Sequence, residues 1–295
     1  MTAAATSTTA ARNGRFVDLH MHSTASDGAL SPTAVVDAAV KIGLTAIALT
    51  DHDTVAGVAE AKETGHRLGL RVVAGVELSA FEGDAEAHVL GLHVSGLEKL
   101  EAELRRFRDT RRSRAERIVA ILNSLGVPLH MDQVIEQAGD GAIGRPHVAR
   151  ALVAGGWVKD VKEAFDLYIG SGRPGNVDKH RITTEDAIRI VHEAGGLAIL
   201  AHPGEDGSLA RIETLARSGL DGAEVRHPAH SNEDATRLLA LVDHFKLVPS
   251  GGSDFHGAPS GPRSLGSMRI PAEWLDRQDA RLAERAKQSK GATTA

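Results

Sequence analysis

The sequence predicts an α/β barrel, and three observations predict it. Apolar runs of strand length alternate with stretches whose apolar residues recur at helical spacing, and ligand-type residues follow most of the strand-like runs. Between His93 and Leu197 the alternation gives way to helical patterns alone. Strand, helix, strand implies parallel pairing, and repeated units of that kind close most economically into a barrel whose chemistry sits in the loops after its strands.

The first run, Phe16 to His20, continues as Asp18-Leu19-His20-Met21-His22-Ser23-Thr24-Ala25-Ser26-Asp27. On an extended chain Asp18, His20 and His22 share one face while Val17, Leu19 and Met21 share the other, so two imidazoles can meet one ion. Pro32 to Ile42 reads as helix, and Ala46 to Thr50 as a second strand ending in Thr50-Asp51-His52-Asp53. Asp51 or Asp53 could instead cap the helix expected over Val55 to Leu68. The third strand, Arg71 to Val76, runs into Gly75-Val76-Glu77-Leu78-Ser79; the fourth, Ala87 to His93, carries His88 early and must turn it inward. After a helix over Thr184 to Ala194, the strand Leu197 to Ala201 leads to His202-Pro203-Gly204, where His202 has an ordinary turn as its competing reading. Helix Leu209 to Ser218, strand Gly222 to Val225, helix Asn232 to Phe245 and strand Leu247 to Pro249 complete the series, followed by Gly252-Ser253-Asp254-Phe255-His256.

Composition narrows the chemistry. A chain of 295 residues, 42% hydrophobic, can bury a large core as one α/β domain or as a domain with an insertion. A formal charge of −5 argues against a nucleic-acid coat or a polybasic membrane binder. With no cysteine and 15 histidines, disulfides and thiolate sites are excluded, and any ion must be held by His, Asp and Glu, which suits Mn, Fe or Zn. Residues 1–13 read as a disordered leader without a signal-peptide core, and no run approaches a membrane span, so a cytoplasmic protein is expected.

The break in the rhythm suggests a division: barrel segments 14–97 and 179–278, a helical insertion over 98–178, and a C-terminal tail over 279–295. Within the insertion, Leu100 to Leu125, Met131 to Ala138, Gly144 to Val153 and Val161 to Ile169 read as helices. The arginine run from Arg105 to Arg117 reads as a solvated face paired with Glu101, Glu103, Asp109 and Glu116.

The stretches Asp18-Leu19-His20-Met21-His22-Ser23, Thr50-Asp51-His52-Asp53, Gly75-Val76-Glu77, Ala201-His202-Pro203 and Gly252-Ser253-Asp254-Phe255-His256 together resemble the PHP (polymerase and histidinol phosphatase) family across nearly the whole chain. More narrowly the chain looks like its nucleoside 3′,5′-bisphosphate phosphatase and 5′–3′ exoribonuclease branch. That resemblance implies a distorted (β/α)7 barrel with three divalent ions, Mn first and Zn or Fe as alternatives. Carried over by motif, one ion would take His20, His22, Glu77 and Asp254; a second Glu77, His88 and His202; a third Asp27, His52 and His256. Gly144-Arg145-Pro146-His147 and Gly170-Ser171-Gly172-Arg173-Pro174-Gly175 resemble the family's phosphate-recognising segments, making Arg145 and Arg173 candidate substrate ligands, with helix capping and turn chemistry as the competing reading.

Paired ions can lower the pKa of a shared water and supply it as hydroxide for in-line attack, so no side-chain nucleophile is required. His227, after the sixth strand, is a candidate acid for the leaving group; a surface-loop histidine is the alternative. The expected activity is release of the 3′-phosphate from nucleoside 3′,5′-bisphosphates, extending to short oligoribonucleotides, with small nucleotides as ligands and no stable protein partner. Histidinol-phosphate phosphatase is the alternative enzyme, and a non-catalytic PHP module the alternative from another class.

Overall fold

The computed structural model describes residues 15–138, 143–177 and 182–292; the expected leader at 1–13 lies outside them. The elements are β1 (Phe16–Asp18), α1 (Pro32–Lys41), β2 (Ala46–Leu49), α2 (Val58–Leu68), β3 (Arg71–Glu82), β4 (Ala85–Leu92), α3 (Leu97–Ser124), α4 (Met131–Ala138), α5 (Arg145–Ala154), α6 (Val161–Ala164) with a π-helical turn at Phe165–Ile169, α7 (Thr184–Glu193), β5 (Leu197–Leu200), α8 (Leu209–Arg217), β6 (Gly222–Arg226), α9 (Asn232–His244), β7 (Val248–Gly251), β8 (Ile270–Pro271) and α10 (Ala272–Ala292). Short polar residues start the barrel helices as their chemistry requires. Ser31, Thr183, Ser208 and Ser231 each accept a backbone N–H of the first turn of α1, α7, α8 and α9.

The strands form one sheet in the order β7-β6-β5-β4-β3-β2-β1-β8. It curls until its ends meet, Leu19 N–H donating to the Gly251 carbonyl at 3.2 Å and Asp254 N–H to that of His20 at 2.9 Å. Not every pairing is parallel. β3 turns back into β4 through Gly83 and Asp84, so β3–β4 and then β4–β5 are antiparallel, as is β8 on β1. A two-residue link leaves no room for a helix, and antiparallel return is the only pairing it permits. β3 also runs past its expected end at Val76, because residues 77–82 find partners in β4 and the Phe81 N–H donates to the Ile182 carbonyl at 2.9 Å.

Val17, Leu19, Ala48, Val73, Leu90, Leu92, Leu197, Ile199 and Val248 pack into the barrel core together with Leu275 of α10. α10 crosses the N-terminal ends of the strands: Arg71 pairs with Asp279, Gln278 donates to the Pro249 carbonyl, and Arg285 pairs with Asp221. Residues 279–292, expected in a tail, therefore continue a helix whose apolar side plugs the barrel. A separate apolar cluster, including Ile118, Leu122, Leu129, Val134, Leu152 and Ile169, holds α3 to α6 together.

Candidate metal centre and adjoining cavity

β1 ends at Asp18, and with it strict alternation ends. Asp18 does not join the His20 and His22 face; its carboxylate takes the Ser253 N–H at 2.9 Å, the Ser253 hydroxyl at 2.6 Å and the Gly266 N–H at 2.8 Å. His20 and His22, both fully buried, reach the middle of the strand ends instead. His20 fits there because position 252 is glycine: a Cβ at Gly252 would stand 2.4 Å from the Cβ of His20.

Glu77, 1% exposed, is the hub. Its Oε2 lies 3.2 Å from His20 Nε2, from His22 Nε2 and from His52 Nδ1, while Oε1 lies 2.8 Å from His88 Nδ1 and 3.1 Å from His202 Nε2. Asp254 Oδ1 stands 3.2 Å from His22 Nε2 and 3.5 Å from both His20 Nε2 and His256 Nδ1. Asp27 stands 3.3 Å from His256 and 3.9 Å from His52. All nine residues expected as ligands thus converge at one end of the barrel, Glu77 from the middle of the extended β3 and His88 facing inward from the first half of antiparallel β4. Backbone strain accompanies them, since His202 and Asp254 adopt positive φ (29° and 51°) without being glycine.

The donor set fits a cation. Both ring nitrogens of buried His22 and Nδ1 of His52 lack a hydrogen bond, although carboxylate oxygens lie 3.2 Å away. A buried polar atom left without a partner is costly, and lone pairs converging on ionised carboxylates are what a divalent ion requires. Burial holds the imidazoles of His22 and His52 low, the latter at about 4, so both rings are neutral donors near pH 7. Burial alone would raise the Glu77 carboxyl; the charge of His20 and hydrogen bonds from the surrounding histidines hold it well below its usual range. Burial likewise lowers His20, but Glu224 and Glu77 outweigh it and lift the pKa to about 10, a measure of how strongly this spot attracts positive charge.

His227 is 3% exposed, not a surface-loop residue. Its Nδ1 accepts the Ala229 N–H at 3.1 Å, so Nε2 carries the proton and lies 3.4 Å from Asp254 Oδ2. Burial lowers its pKa to about 3, so the ring is neutral.

Beyond the cluster, β3 carries Glu77, Ser79 and Phe81 at alternate positions on one face. Ser79 and Phe81 line a cavity of about 410 Å³ between the β3–β4 hairpin and the inserted helices, where Arg114 and Arg145 supply positive charge and Asp84 and Glu86 negative. The Arg145 guanidinium lies 5.5 Å from the Phe165 ring centre and donates to the Ile169 carbonyl at 3.3 Å. Arg173 is exposed on its turn and is not among the residues lining this cavity.

Residues 18–168 match the PHP domain family. The chain belongs to the PHP family. It is 38% identical over 257 residues to the 3′,5′-nucleoside bisphosphate phosphatase of Chromobacterium violaceum, covering 85% of this chain and 90% of that one. It is 36% identical over 247 residues to the 5′–3′ exoribonuclease Rnm of Escherichia coli, covering 81% and 84%. A solved structure from Bifidobacterium adolescentis, assigned as a metal-dependent phosphoesterase, superimposes with a TM-score of 0.71 at 31% identity over 90% of this chain and 96% of that one.

Within the PHP barrel, sequence reasoning overlooked a supporting layer. Glu224, fully buried on β6, accepts from His20 Nδ1 and from the His202 N–H. A carboxylate between Ala223 and Val225 on a buried strand was the available signal. Asp51 and Asp53 do not cap α2. Asp51 takes the N–H and hydroxyl of Ser23 at 2.7 and 2.8 Å, and Asp53 those of Ser79 at 2.9 and 3.0 Å. With Asp18 and Ser253 they form three like clasps between neighbouring strand ends.

Proposed function

We propose that this protein is a metal-dependent phosphoesterase that releases the 3′-phosphate of nucleoside 3′,5′-bisphosphates and also shortens small oligoribonucleotides from the 5′ end. One observation carries the reading: the face of β3 that presents Glu77 to the histidine cluster continues through Ser79 and Phe81 into a cavity holding two arginines and two aromatic rings. Two residues along a strand advance about 7 Å, so a phosphate at the cluster and a base with a second phosphate in the cavity are spaced as one small nucleotide. The names of the two curated relatives supply the substrate class.

His20, His22, Glu77 and Asp254 would hold one ion, Glu77, His88 and His202 a second, and Asp27, His52 and His256 a third. Three divalent ions, Mn the first choice and Zn or Fe the alternatives, would supply Lewis acidity and activate a water for attack at phosphorus. The chain's own residues do the rest. Glu224 accepts a hydrogen bond from His20 Nδ1–H and so would leave Nε2 to the ion that displaces its proton. His227, expected as the acid, is neutral and has no imidazolium proton to give, so its Nε2–H serves only as a hydrogen-bond donor to the leaving oxygen. Arg145 meets the second phosphate, with Arg173 on the neighbouring turn. In this reading residues 98–178 form the recognition subdomain of the barrel built from 14–97 and 179–278, which α10 closes by running on past 278. Among the described residues no helix is long and apolar enough to cross a membrane.

Phosphate release with added Mn tests the proposal. Turnover of adenosine 3′,5′-bisphosphate well above that of histidinol phosphate supports it, the reverse order selects the smaller substrate, and no turnover of either supports a non-catalytic module. The cavity weighs against histidinol phosphate, which has no second phosphate for Arg145.

A further inference from the structure

Asp254 divides its two oxygens. Oδ1 faces the imidazoles of His20, His22 and His256 at 3.2 to 3.5 Å, whereas Oδ2 faces His227 and accepts from Nη1 of Arg263. Arg263 stands on the loop after β7, and that loop is built to hold it. Ser264 donates to the Gly261 carbonyl through both N–H and hydroxyl, Ser267 N–H donates to Ser264, and Gly266 N–H is anchored on Asp18. The side chain is half exposed while the carboxylate beneath it is nearly buried. A guanidinium carries five N–H donors, and Asp254 engages Nη1; among the described residues Nε and Nη2 make no hydrogen bond.

We propose that Arg263 binds the reacting phosphate of the substrate, Asp254 fixing Nη1 while Nε and Nη2 remain for phosphate oxygens. The inference rests on the reading of Asp254 and its histidines as metal ligands, and adds a residue to it. A planar fork pinned at one corner is preorganised for a tetrahedral anion at little further entropic cost. Because an ion would meet Oδ1 and Arg263 meets Oδ2, the two do not compete for one atom. Arg263 then differs in kind from Arg145: it serves the phosphate that every substrate has, not the one that only a bisphosphate carries.

The test compares wild type with Arg263→Gln and Arg263→Lys in three measurements: bound Mn by equilibrium dialysis, the affinity of the Mn-loaded protein for inorganic phosphate, and kcat/KM on adenosine 3′,5′-bisphosphate and on a simple phosphate monoester. Arg263→Gln should keep its Mn and bind inorganic phosphate roughly ten- to a hundredfold more weakly. It should lose kcat/KM by a similar factor on both esters, and Arg263→Lys should recover part of each loss. Loss of Mn by Arg263→Gln would make the residue a prop for Asp254 and overturn the proposal. Unchanged phosphate affinity and turnover would reduce it to a surface ion pair and overturn it equally, with the metal reading intact. A wild type that binds no Mn would overturn the metal reading itself, and Arg263's role with it.

Discussion

Glu224 grips His20 with both carboxylate oxygens, each 3.1 Å from Nδ1, and uses Oε2 again to accept the His202 N–H at 2.8 Å. One buried side chain thereby sets the tautomer of one candidate ligand and the backbone of another. Glu224→Gln keeps the volume and loses the charge, and partners of this kind are worth about 10- to 100-fold in metal affinity. Mn titration of the variant should show that loss with the fold intact by circular dichroism; unchanged affinity would leave Glu224 a packing residue.

Glu77→Ala and Asp254→Ala should each lower Mn content and kcat together, since every candidate ion set but that of Asp27, His52 and His256 includes Glu77 or Asp254. Metal analysis of the purified variants beside steady-state rates checks this. His66→Ala, exposed on α2, is the matched control and should change neither. Full metal occupancy with near-normal turnover in Glu77→Ala would refute the ligand assignment.

Arg145→Ala should cost roughly ten- to a hundredfold in kcat/KM on the bisphosphate and little on a phosphate monoester, because a charge-assisted contact is worth about 1.5–3 kcal/mol and the monoester has no second phosphate. Arg173→Ala should show the same selectivity with a smaller loss, its side chain lying exposed outside the cavity lining. Equal losses on both substrates would move either arginine to the reacting centre or into the fold.

Asp221 ties the far end of the barrel to α10, meeting His192 Nε2 at 2.8 Å and Arg285 Nη1 at 2.8 Å. Burial raises its carboxyl, but His192, the Ala198 N–H and Arg285 together outweigh that and leave the pKa below the usual carboxylate value. A depressed folded pKa gives stability that is present above the unfolded value near 4 and lost as pH falls through the folded one. Asp221→Asn should therefore be less stable than wild type at pH 7, by about 1–3 kcal/mol, and melt lower, and the gap should close below about pH 4. A gap that is constant across thermal melts from pH 7 to 3 would show that charge is not its cause.

Much of this was legible in the sequence because chemistry and periodicity agreed. His20, His52, Glu77, His202 and Asp254 could be placed at strand ends, since a polar residue that closes an apolar run has few other places to go. What stayed hidden depended on partners distant in the chain. The extension of β3 over residues 77–82 needs β4 and Ile182 beside it, and β8 is two residues long. α10 looks like a tail because its exposed side is charged and its apolar residues, Leu275 and Leu282, are sparse; their purpose shows only against the barrel core. Asp51 and Asp53 have the right chemistry for helix caps, and it was the proximity of Ser23 and Ser79 that decided against it.

The three clasps, Asp18 with Ser253, Asp51 with Ser23 and Asp53 with Ser79, bind β7 to β1, β1 to β2 and β2 to β3 through the protein's own hydrogen bonds. These hydrogen bonds hold the strand ends without using any candidate ligand side chain. A domain that folds around its ion loses structure when the ion is drawn out, whereas here chelation should abolish turnover while leaving the far-ultraviolet spectrum and the cooperativity of the melt in place, with only the melting temperature lowered by mass action.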